Sequence, residues 1–190
     1  MKQTDAMTFS SNVLPALETK AIIIQMVLLA SAAFVLPAAA HMVGLPTRVL
    51  LPMHWPVIMA GLCYGWRSGA VIGLLAPVTS FLISGMPPAL MLPAMTVELA
   101  AYGLLAGLAR QNLRYGWFAS SAVSLIGGRI VFLAVALLLG TIAIPFGDYL
   151  ASAMLPGIPA AIAQLIILSL AAGLWVGPAR DEQRTAAELP

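Results

Sequence analysis

Residues 50–108 read LLPMHWPVIMAGLCYGWRSGAVIGLLAPVTSFLISGMPPALMLPAMTVELAAYGLLAGL. Almost every position is apolar, yet the run holds His54, Arg67 and Glu98, six prolines and seven glycines. The apolar stretches between the breaks are continuous. A strand of an outer-membrane barrel would alternate apolar and polar residues over about ten positions. Continuous runs suit helices instead, because a helix in lipid satisfies its own backbone hydrogen bonds. The breaks then mark helix ends or places of close packing.

The rest of the chain follows the same pattern. Its 190 residues are 61% hydrophobic and only 8% charged, with a mean hydropathy of +0.98. A soluble domain carries about 25% charged residues, so the class is an all-α integral membrane protein. At about 20 residues per span, the length accommodates six transmembrane helices in one compact bundle. The expected spans are roughly 20–43, 53–66, 68–85, 89–109, 116–143 and 159–177. Pro37 is expected to kink the first, because its ring has no N–H and crowds the preceding turn. Residues 44–52 read as an extended connection and WRSG at 66–69 as a tight turn. GMPP at 85–88, and the stretch from IPFGDY to LPGIP, read as the later outward connections. The organisation is a polar N-terminal tail at 1–19, a membrane domain at 20–178 and a charged, disordered C-terminal tail at 179–190.

Basic residues set the orientation. With the N-terminus inside, Lys2, Lys20, Arg67, Arg110, Arg114, Arg180 and Arg184 fall on the inner side, Arg48 on the outer side, and Arg129 within the fifth helix. Positively charged loops stay in the cytoplasm, so both termini are expected there. The net charge of +2 is read as topology and gives no reason to expect nucleic acid. A single cysteine, Cys63, excludes an internal disulfide. Two histidines without H-E-x-x-H spacing give no metal site, and no cofactor is expected.

Glu98 and Arg129 fall near the middles of the fourth and fifth helices. A charge at the bilayer centre costs about 2.5–3.5 kcal/mol on insertion scales, so each needs a partner or a cavity. Three readings stay open: the two glue their helices together as a pair, they line a ligand cavity, or they do both. Tyr102 follows Glu98 by four residues and shares its helix face. His54, in PMHWP, lies at the outer end of the second helix, near any cavity opening outward, whereas His41 reads as structural. Gln164 is the strongest polar residue of the sixth helix. Trp55, Trp66, Trp117 and Trp175 fit an interfacial aromatic belt. Gly61, Gly65, Gly69 and Gly73, with Gly103 and Gly107, are G-x-x-x-G pairs that let backbones approach. They predict tight packing on the cytoplasmic side and place any cavity toward the proline-rich outer side.

The P-x-H-x-P segment, the glycine series across a short helix pair, the GMPP turn and M-x-x-E-L-x-x-Y-G around Glu98 occur here in order. In that order and spacing, the chain resembles the substrate-binding S components of energy-coupling factor (ECF) vitamin transporters. The detailed likeness covers about a third of the chain, and the six-helix layout extends it. The resemblance implies a subunit that captures a vitamin or cofactor precursor from outside. It implies docking onto a transmembrane coupling protein driven by two cytoplasmic ATPases. No G-x-x-x-x-G-K-[ST] loop is present, in keeping with a subunit that has no ATP site of its own. Substrate contacts are expected at His54, Glu98, Tyr102, Arg129, Gln164 and Met86. The A-x-x-x-A docking motif of many S components has no strict match in the first helix; a small-residue patch at Ala30, Ala32 and Ala33 stands in for it. The competing functions are an assembly protein without a small ligand and a membrane-embedded enzyme using Glu98 or His54. The latter lacks a G-x-S-G nucleophile and paired metal-binding carboxylates.

Overall fold

The computed structural model describes residues 12–44, 47–140, 142 and 144–188; the N-terminal tail expected at 1–19 falls largely outside them. Its elements are α1 (Thr19–Ala30), a π-helical turn (Ser31–Val35), α2 (Leu36–Met42), α3 (Thr47–Leu50), α4 (His54–Tyr64), α5 (Trp66–Ser84), α6 (Leu92–Gln111), α7 (Trp117–Leu138), α8 (Phe146–Met154), a 3₁₀ turn (Leu155–Gly157) and α9 (Ile158–Glu188). No strand occurs among the described residues.

The first span runs unbroken over Thr19–Met42. Pro37 does not end it. The Leu36 N–H bonds back to the Ser31 carbonyl, five residues earlier. This wider turn sits where the Pro37 ring would otherwise meet the carbonyl four residues before it.

Among the described residues, five helical stretches are long and apolar enough to cross a bilayer: Thr19–Met42, Trp66–Ser84, Leu92–Gln111, Trp117–Leu138 and Phe146–Pro178. The expected second span is the exception. α4 has 11 residues, which at 1.5 Å per residue is about half the hydrocarbon thickness. Val57, Ile58, Ala60 and Leu62 have no exposed surface, and its other residues are nearly all buried. A helix apolar on every side belongs inside other helices. α4 packs on α5, α6, α9, α1 and α7, so it is screened from lipid and need not match its thickness.

Glycines hold the helices around α4 close together. A side chain on Gly103 would collide with the Gly69 backbone, one on Gly61 with the Gly103 carbonyl, and one on Gly73 with the Leu99 carbonyl. Gly107 faces the backbone of Trp66 in the same way. Gly65 makes the α4–α5 corner with φ +87°, a region L-residues avoid. At this end Arg110 lies over the Trp117 ring at 3.6 Å, and the Leu14 N–H bonds to the Cys63 carbonyl at 2.7 Å. Part of the expected polar tail is therefore docked, with Val13 and Leu14 buried. Cys63 is buried and unpaired.

Three connections differ from the expectation. Residues 44–52 contain the short helix α3, and the connection after α7 contains α8. The tail beyond residue 178 continues α9 to Glu188 instead of ending as a disordered segment. Trp175 lies close to the end of the last membrane-spanning stretch, Phe146–Pro178, and the helix continues past it.

Candidate functional site

At the opposite end from the glycine contacts the helices part around a cavity of about 610 Å³. It forms where α4 stops short. Leu51, Pro52, Met53 and His54 line it from the start of that helix, and Ser80 and Ser84 from the end of α5. The first span contributes Ala33, Phe34, Pro37, Ala38 and His41. Met91, Ala94, Met95 and Glu98 recur along one face of α6, and Arg129, Phe132 and Ala136 along one face of α7, both at helical spacing. Tyr149, Ser152 and Ala153 of α8 complete the wall. Five prolines line it, Pro37, Pro52, Pro87, Pro88 and Pro156. Proline-shaped segments thus frame the space, on the side that sequence reasoning favoured.

The polar groups cluster on the side of α4, α6 and α7. Glu98 is 3% exposed. Its Oε1 accepts a hydrogen bond from Arg129 Nη1 at 3.0 Å. His54 Nε2 lies 3.6 Å from the same oxygen, beyond hydrogen-bond range. The Tyr102 hydroxyl interacts with Glu98 from the next turn of α6. The Tyr102 ring meets His54 edge-on, with centroids 4.8 Å apart and planes at 70°. Tyr102 is held in turn: its carbonyl accepts from Ser124 Oγ at 2.7 Å, and a side chain on Gly128 would strike its ring. The charges of Glu98 and Arg129 offset each other, and Arg129 keeps 21% of its side chain exposed. The pair joins α6 to α7 and also lies on the cavity wall.

Sequence reasoning brought His54, Glu98, Arg129 and Met86 to one cavity, and the structure places all four on its wall. Tyr102 lies beneath, behind Glu98 and His54. Gln164 sits elsewhere, fully buried on the stripe Ala160, Gln164, Leu168, Ala172 and Val176 of α9. Neither atom of its amide has a hydrogen-bond partner among the described residues. In the small-residue patch, Ala32 and Ala33 are buried, with 0% and 2% exposure, and Ala33 lines the cavity. Ala30 alone of the three lies on the exposed face. His41, read as structural, is a lining residue; its spacing of four from Pro37 and of eight from Ala33 was the available signal. Tyr149 and the rest of α8 carried no such signal, since the segment read as a connection. Among the described residues no group of three or more metal-ligating side chains occurs.

A family profile described as "ECF transporter, substrate-specific component" matches residues 20–174. The chain belongs to this family. It is a multi-pass membrane subunit that binds substrate for an ECF transporter, and it is a transport component, not an enzyme. Membership implies association with a small substrate and with the transmembrane and ATPase components of the transporter. No curated protein and no solved structure matches the chain. The matched segment takes in every residue of the Glu98–Arg129–His54 cluster and every described residue of the cavity wall.

Proposed function

We propose that this S component captures a vitamin or cofactor precursor from outside a prokaryotic cell, holding it in the cavity for ATP-driven uptake. The observation that carries the reading is a cavity of about 610 Å³ with a buried, charge-balanced cluster on one wall. Ligand sites span about 300–1,000 Å³ and combine apolar walls with a few placed polar groups. Its position supports the direction. Lys20, Arg67, Arg110 and Arg114 lie at the glycine-packed end, away from the cavity, and basic residues favour the cytoplasm. The cavity then opens outward, with both termini and the tails beyond residues 20–178 inside. Leu51, the 86–91 segment and α8 border the cavity. The exposed face of α1 around Ala30 docks onto the coupling protein, which two ATPases drive.

Native mass spectrometry of the gently purified protein tests this. One vitamin-sized molecule should be retained per chain, directly or after incubation with a panel of water-soluble vitamins. A folded protein that retains none of them would remove the binding role and favour an assembly protein.

A further inference from the structure

The chemistry of the polar cluster restricts what the cavity holds. We propose that it selects a ligand whose polar head is uncharged and presents a hydrogen-bond donor beside an acceptor, as an amide, lactam or ureide edge does. This rests on the reading of the cavity as the substrate site.

His54 carries the argument. It is 3% exposed and lines the cavity, and neither ring nitrogen has a hydrogen-bond partner among the described residues. A neutral imidazole has one N–H donor and one bare nitrogen acceptor. Leaving both unmet in a buried place is costly. A head group with an acceptor and a donor satisfies both kinds of need at this wall, the imidazole and the neighbouring guanidinium sharing the work. Arg129 spends Nη1 on Glu98 and stays partly exposed, and a guanidinium has further N–H donors for acceptors on the ligand.

Charge balance argues against ionic heads. Among the described lining residues, Glu98 and Arg129 are the acidic and basic side chains apart from the two histidines, and they already neutralise each other at 3.0 Å. A ligand carboxylate at this wall sits close to Glu98, and like charges in a poorly solvated place oppose one another. It also offers no donor to a bare imidazole nitrogen. An ammonium head competes with Arg129 for Glu98 and leaves a guanidinium without its partner, a costly state away from water. An uncharged head leaves the pair intact. The remaining wall asks for an apolar body: Met53, Met86, Met91 and Met95 supply an adaptable, polarisable surface.

The test uses purified full-length protein in lipid nanodiscs and compounds matched except for charge: nicotinamide with nicotinate, panthenol with pantothenate, and pyridoxine with pyridoxamine. Affinities come from isothermal titration. In any pair that binds, the uncharged member should bind at least tenfold more tightly. Glu98→Gln should move the ratio at least tenfold toward the carboxylate, and Arg129→Gln at least tenfold toward the ammonium. His54→Phe, which keeps a ring against Tyr102 but removes both nitrogens, should abolish the preference while circular dichroism stays unchanged. A tighter charged member in the unaltered protein overturns this inference and leaves the substrate site standing. So does a ratio that none of the three variants moves. Absence of binding by all six compounds overturns the inference and counts against the substrate site as well.

Discussion

The two ends of the bundle use the same kind of sequence to opposite effect. At one end, Gly61, Gly69, Gly73, Gly103 and Gly107 bring α4, α5 and α6 to backbone contact. At the other, prolines, methionines and a short central helix hold the same elements apart around a cavity of about 610 Å³. Lipid tails are as apolar as leucine, so burial of apolar surface does not drive transmembrane helices together. Close packing and hydrogen bonds do. The contrast teaches that small side chains at the crossing close one end, and that the cavity lies where they run out. Serine bonds reinforce the packed region, as between Ser169 Oγ and Ser121 Oγ at 2.9 Å, but such bonds average only about 0.6 kcal/mol.

The sharpest way to break this comparison is at Gly103, which both Gly61 and Gly69 face. Gly103→Val forces side-chain atoms into the Gly69 backbone and should destabilise by about 3 kcal/mol or more. It should lower the thermal midpoint strongly and broaden the size-exclusion peak. Gly116→Ala, with nothing near the added carbon, is the control. Equal behaviour of the two would show that backbone contact does not close that end.

Next in size are the charges of the open end. Glu98→Gln and Arg129→Met should each weaken ligand binding at least tenfold, about 1.4 kcal/mol, measured by titration with the molecule identified by mass spectrometry. Each removes one half of a partly buried pair. Normal binding by both would make the pair a helix clamp alone.

A smaller effect separates the two faces of the first span. Ala33→Leu adds volume to the cavity wall and should reduce affinity about three- to tenfold by displacing ligand atoms. Ala30→Leu, on the exposed face, should leave binding unchanged but slow uptake in cells that contain the whole transporter. The reverse pattern would exchange the faces.

The smallest change is expected at Gln164. Its buried amide lacks partners among the described residues, and replacing an unsatisfied polar group by an apolar one of similar shape is neutral or stabilising. Gln164→Leu should raise the midpoint by up to a few degrees, equivalent to about 1 kcal/mol, with binding intact. A tenfold loss of affinity would place the residue in the site after all.

Much of this was legible in the chain because the signals were local. Continuous apolar runs made helices, prolines and glycines placed the breaks, and two lone charges in apolar surroundings required partners. Glu98 and Arg129 had few other groups to meet. The glycine spacing announced the packed end. Facing was not legible. In a soluble helix the polar side marks the surface, but here lipid-facing and core-facing residues are equally apolar. The placements of Ala33, His41 and Gln164 consequently became visible only once the helices were packed.

The sequence by itself determined that this protein lies in the membrane, where its long apolar helices run, and that a small set of polar groups serves a purpose within them, since each of these follows from the cost of exposing polar groups to lipid. Only the tertiary structure decided that α4 is a short helix enclosed by its neighbours, that α8 walls the cavity, and that the helix after it continues to Glu188. Those outcomes depend on which apolar surface meets another helix and which meets lipid, and hydrophobicity is nearly the same in both cases.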